Sequence, residues 1–190
     1  PAARSEVVTA AVDLPYTGPR GAFELVDPAT KRRVRVQCAA RRPNWSIVNH
    51  AGDAPAMVRT EQFLVHFPAD AVPGLGYTTW VVDRSGAFAQ GTLVTGANTM
   101  ENEHLRVVIA ENGTLSVAHK ATGTVYDGLN YYVDNGEAGH AWMHHNPAFD
   151  RALDSRGFPC AVALEEDGPL LARYRIDTRM RIPARLDENG

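Results

Sequence analysis

The sequence predicts an all-β protein. Apolar residues alternate with a period of two wherever a period can be seen, and Asn112-Gly113 and Asp167-Gly168 stand between such runs as hairpin signals. The 3.6-residue apolar stripe of an amphipathic helix is missing throughout.

Taken in order, residues 5–14 form a mostly apolar run and residues 22–26 a short one, while residues 31–39 alternate basic side chains with Val before reaching Gln37-Cys38. Between the last two runs, Asp27-Pro28-Ala29-Thr30 has turn chemistry. Asp accepts from the backbone ahead of it and Pro presets its own φ, so a hairpin is expected here. Residues 41–56 are polar, hold Pro and Gly, and read as loop. Strands are expected at 60–68 and 77–83, separated by Pro73-Gly74-Leu75-Gly76, and the small-residue-rich stretch 86–96 reads as a linker between sheets. Residues 105–110 then alternate, Asn112-Gly113 turns the chain, and residues 114–119 return. Lys120-Ala121-Thr122-Gly123 leads into Thr124-Val125-Tyr126, and residues 160–165 and 170–182 flank Asp167-Gly168. Residues 137–154 are neither alternating nor helical; they carry Trp142, three His and Pro147. Loops of that length inside a compact domain are more often functional than idle. The closing Asp187-Glu188-Asn189-Gly190 has the composition of a turn toward a further strand, and with Pro1 in place of a Met it suggests a piece of a longer polypeptide.

Composition narrows the partners. With 190 residues and 44% hydrophobic content the chain can bury a core, and its net charge of -3 gives no footing for phosphate backbones or anionic membranes. No apolar run approaches the roughly 20 residues needed to span a bilayer, so neither nucleic acid nor membrane is an expected partner. Cys38 and Cys160 lie far apart in strand-like runs and are expected to be buried free thiols acting as small hydrophobes, which leans the expected localisation toward the cytoplasm.

Asp134, Glu137, His140, His144 and His145 are the one place where acid/base groups or metal ligands converge along the chain. No HExxH or Cys pair accompanies them, so a solvated polar loop is favoured over a metal site. Trp142 has two readings: an indole between strands is usually core, yet a pyranose presents an apolar C–H face that packs on an exposed indole. Asp134 and Glu137 are also the nearest pair of carboxylates that glycoside hydrolysis would ask for, although Asp and Glu in such settings more often bond backbone. No GxSxG elbow, P-loop or dinucleotide fingerprint is present.

The runs Glu101-Asn102-Glu103-His104-Leu105-Arg106-Val107, Asn112-Gly113-Thr114-Leu115 and Lys120-Ala121-Thr122-Gly123-Thr124-Val125-Tyr126 are followed by residues 130–134, by Gly136-Glu137-Ala138-Gly139-His140-Ala141-Trp142, and by Gly168-Pro169-Leu170. In this order they resemble the C-terminal region of glycoside hydrolase family 38, the α-mannosidase-like enzymes; Val72-Pro73-Gly74-Leu75-Gly76-Tyr77 matches more loosely. The resemblance implies a small β-sandwich over residues 1–96, then the first part of a galactose-mutarotase-like β-supersandwich over residues 97–190. It also implies an α-mannoside substrate cleaved with retention, and an N-terminal catalytic domain of the same polypeptide carrying zinc, the nucleophile and the general acid. This chain would then hold no catalytic residue and no cofactor. Its expected sugar contacts are Trp142, Asp134, Glu137 and His140, with His140 standing where many members have Asp. The competing expectations are a free-standing carbohydrate-binding module and a mutarotase-like epimerase, for which no full set of acid and base residues can be assembled.

Overall fold

A computed structural model describes residues 2–18, 21–49, 51–52 and 54–185. The terminal turn expected at 187–190 lies outside them. Among the described residues the chain is all-β apart from one 3-10 turn, and it divides into two compact units: residues 1–93 with 166–172, and residues 94–165 with 173–190.

The first unit is a β-sandwich. One sheet has the order β1 (Arg4–Pro15), β5 (Ala56–Val72), β4 (Gln37–Val48); the other has the order β3 (Arg33–Val34), β2 (Glu24–Val26), β6 (Val81–Asp83), with every pairing antiparallel. The period of two explains what fills the space between them. On β5, Phe63, Val65, Phe67 and Ala69 share one face and are buried, and they meet Phe23, Leu25, Val34 and Val36. Val8, Ala10, Val12 and Leu14 of β1 close the same core. Aromatic rings interlock edge to face there, Phe23 on Phe63 at 5.4 Å and Phe67 on Trp80 at 5.2 Å between centroids. The β2–β3 hairpin forms as expected: the Asp27 carboxylate accepts from the N–H groups of Ala29 (2.8 Å) and Thr30 (3.2 Å).

Two expectations for this unit fail for identifiable reasons. Residues 41–48 are strand, not loop. They carry no apolar alternation because cross-strand polar pairs hold them: Arg41 with Glu61, Arg42 with Gln62, Asn44 with Asp13, and Ser46 with Thr60. Pro43 is tolerated because β4 is an edge strand. The strand expected at 77–83 shrinks to Val81–Asp83, preceded by a turn in which the Gly76 N–H donates to the Pro73 carbonyl.

The second unit has a five-stranded antiparallel sheet ordered β11 (Thr124–Leu129), β10 (Leu115–His119), β9 (Leu105–Ile109), β8 (Thr99–Glu101), β7 (Val94–Gly96). Two short ladders accompany it, β12 (Val133–Asp134) with β13 (Leu153–Asp154), and β14 (Cys160–Glu166) with β15 (Arg173–Thr178). The Asn112-Gly113 hairpin is present as a three-residue loop: Ala110 N–H donates to Thr114 O, and Gly113 takes φ +82°. Asp167-Gly168 is not a two-residue turn but the start of a six-residue connection between β14 and β15. Cys38 and Cys160 are free thiols, half-buried rather than buried.

The candidate sugar-facing loop

The polar stretch after β12 folds back on itself as a miniature hairpin. Ala138 N–H donates to His145 O (2.9 Å), and His140 and Met143 exchange both backbone bonds (3.1 and 3.0 Å), leaving Ala141 and Trp142 at the two-residue tip. Trp142 is 91% exposed, so it is not core. His140 lies beside it: the Trp142 backbone N–H donates to His140 Nδ1 at 3.3 Å, and the two ring centroids are 6.5 Å apart. Close approach inside the turn demands Gly139, where a Cβ would fall 2.1 Å from the Met143 carbonyl.

Glu137 sits inside this turn. Its carboxylate accepts from the N–H groups of His145 (3.0 Å) and Gly139 and pairs with the His144 ring. Those bonds, the His145 N–H first and the Gly139 N–H next, hold its acidity well below the ordinary carboxylate range, at about 2. His144 is raised in turn, chiefly by Glu137 and then by Asn146. A carboxyl that stays ionised down to about pH 2 is a poor general acid near neutrality, which argues against a self-contained acid/base pair. Asp134 lies half-buried on β12, paired with Leu153; among the described residues no hydrogen bond joins its carboxylate to Glu137, His140 or Trp142. The structure therefore brings His140 and Trp142 together.

Among the described residues no three His, Cys, Asp or Glu side chains gather as a group that could hold a metal ion. A hollow of about 350 Å³ in the first unit is lined by Leu14, Phe23, Glu61, Phe63 and Arg84, but Glu61 is spent on Arg41 and none of the four expected contacts lines it. Sequence reasoning passed over Tyr132 and Tyr174, which with Asn130, Asp177 and Arg179 line an open groove in the second unit. The Tyr131-Tyr132 pair just before Asp134 was the only local hint.

Comparison with known proteins places this geometry. No family model matches the chain. A curated protein of Halalkalibacterium halodurans named "Putative mannosylglycerate hydrolase" is 31% identical over 91 residues, 48% of this chain and 10% of that protein. The solved structure of an α-mannosidase from Enterococcus faecalis V583 superposes over 98% of this chain with a TM-score of 0.73 at 22% identity. That of a family 38 glycosyl hydrolase from Enterococcus faecalis covers 93% with a TM-score of 0.68 at 23% identity. This chain spans only 23% of either solved chain. The chain thus shares its all-β fold with part of each of these two solved structures, and over 91 residues its sequence is similar to that curated protein.

Proposed function

We propose that this chain is a non-catalytic β-sandwich portion of a retaining α-mannosidase-type glycoside hydrolase. In this reading residues 1–96 are a small sandwich, residues 97–190 begin a mutarotase-like supersandwich, and the turn at 137–145 completes a sugar pocket. The zinc and the reacting carboxylates belong to an N-terminal catalytic domain of the same polypeptide. The observation that carries the reading is Trp142 at the tip of a braced hairpin with 91% of its surface in solvent. Leaving an indole exposed forfeits the burial that normally stabilises it, and its flat face suits the C–H face of a pyranose.

Two features support a partner polypeptide. Leu75 and Tyr77, in the turn that loosely matches the family motif, are 95% and 85% exposed. In the second unit Ile109 is the one buried hydrophobic among the described residues, while Val125, Tyr126 and Leu129 on β11 stay exposed, as on a sheet that lacks a covering layer.

His140, which accepts from the Trp142 backbone N–H, and Asp134 on β12 are the further expected sugar contacts in this reading. The test is Trp142→Ala in the complete polypeptide. An indole–sugar contact of about 1 kcal/mol predicts a roughly fivefold rise in KM for an aryl α-mannoside. Unchanged kinetics removes Trp142 from the pocket.

A further inference from the structure

We propose that Glu137 is a positioning residue and not a sugar contact: its carboxylate and the His144 ring form a protonation-dependent lock that holds residues 137–145 in the turn carrying Trp142. The functional half of this inference rests on the reading that Trp142 meets the sugar; the structural half does not. Every acceptor position of Glu137 that faces the turn is occupied. One oxygen takes the N–H groups of Gly139 and His145, which close the hairpin from both sides, and the other takes His144 Nδ1. Three of its roughly four acceptor sites are thus spent within the turn.

The His144 ring shows why protonation matters. Its Nδ1 faces the Glu137 carboxylate, and its Nε2 lies 2.7 Å from Asn146 Oδ1. Both neighbours are acceptors, and only an imidazolium donates from both nitrogens. Asn135 Nδ2 approaches the same Nε2 at 3.1 Å and has its own acceptor in Asn146 Oδ1 at 3.3 Å. The charged groups facing His144 are Glu137 and Asp150, both of which favour its protonated form. Asp150 also braces the start of the turn by accepting from the Gly136 N–H at 2.9 Å.

Opposite shifts define a window. Glu137 is lowered from 4.5 to about 2, so its contribution is complete above 4.5 and is lost as pH falls toward 2. His144 is raised above 6.5, so its contribution is complete below 6.5 and is lost as pH rises through the folded value. The hairpin is therefore best ordered between 4.5 and 6.5 and loosens in alkali.

NMR on the 190-residue chain tests the lock without any sugar. In Glu137→Gln the His144 titration midpoint should fall, and the Gly139 and His145 amides should exchange about tenfold faster while the amides of β5 keep their protection. An unmoved midpoint together with unchanged exchange overturns the proposal. Kinetics of the complete polypeptide supply the functional arm. Glu137→Gln should raise KM for an aryl α-mannoside and flatten its rise in alkali while leaving kcat unchanged; loss of kcat instead would mean that Glu137 acts at the reacting bond, and overturns the positioning role. If Trp142→Ala leaves KM untouched, the sugar-facing reading fails by itself, and the NMR result still decides the lock.

Discussion

At the scale of single residues, the first unit depends on a buried side-chain amide that mimics a strand. Gln37 Oε1 accepts from the N–H groups of Leu170 (2.9 Å) and Leu171 (3.0 Å), while its Nε2 donates to Glu166 Oε1 (2.9 Å) and to Leu171 O (3.0 Å). Glu166 in turn meets the ring of His66, which is 1% exposed. Gly168 lies so close that a Cβ would sit 2.2 Å from Gln37 Cδ. Gly168→Ala should destabilise the chain by about 2 kcal/mol in urea unfolding, because either the amide or the segment must shift. Gln37→Leu, which takes the partner from two N–H groups and the Leu171 carbonyl and leaves Glu166 with only the His66 ring, should cost about 2 to 4 kcal/mol. In the sequence Gly168 reads as a turn glycine after Asp167, and that reading misses its cause. The residue that demands glycine stands far away along the chain, and no local pattern records such an approach. The same blindness applies to Glu137: its type and position mark it as a candidate sugar contact, whereas its three turn partners become visible only once residues 137–145 are folded.

Among the elements, legibility follows the source of each strand's stabilisation. Strands held by burial announce themselves: Phe63, Val65 and Phe67 alternate on β5, and Val8, Ala10, Val12 and Leu14 on β1. β4 is held at its far end by Arg41–Glu61, Arg42–Gln62 and Asn44–Asp13, so its sequence looks like loop. Turns governed by local chemistry are also legible, Asp27 capping its own hairpin and Asn112-Gly113 turning β9 into β10. At Gly113 the demand is double. Its φ of +82° disfavours any side chain, and a Cβ would lie 2.8 Å from Cys160 Sγ and 3.0 Å from Ile176 Cγ2. Gly113→Ala should therefore lower stability by about 2 kcal/mol or more, beyond the roughly 1 kcal/mol of a strained backbone alone, as a shift of the urea midpoint with unchanged slope. A smaller loss would mean that β14 and β15 yield easily around the turn.

For the whole molecule, the two units differ in how they are stabilised. The first encloses a continuous apolar core between its sheets, whereas in the second the apolar side chains of β9 and β10 are mostly half-buried and those of β11 are exposed. The all-β class was legible because a period of two runs through the strands that burial holds, and the resemblance to family 38 was legible because six motifs keep their order along the chain. The expected sugar platform was only half legible: an exposed Trp and a core Trp have the same local sequence, and exposure depends on the hairpin bonds around it. The central claim is that this scaffold lends a loop to a pocket whose reactive groups lie elsewhere on the polypeptide. Its most direct test compares aryl α-mannoside hydrolysis by the isolated 190-residue chain and by the complete polypeptide, each with added zinc. The account predicts no turnover above the uncatalysed rate from the isolated chain and robust turnover from the complete one; hydrolysis by the chain alone would contradict it.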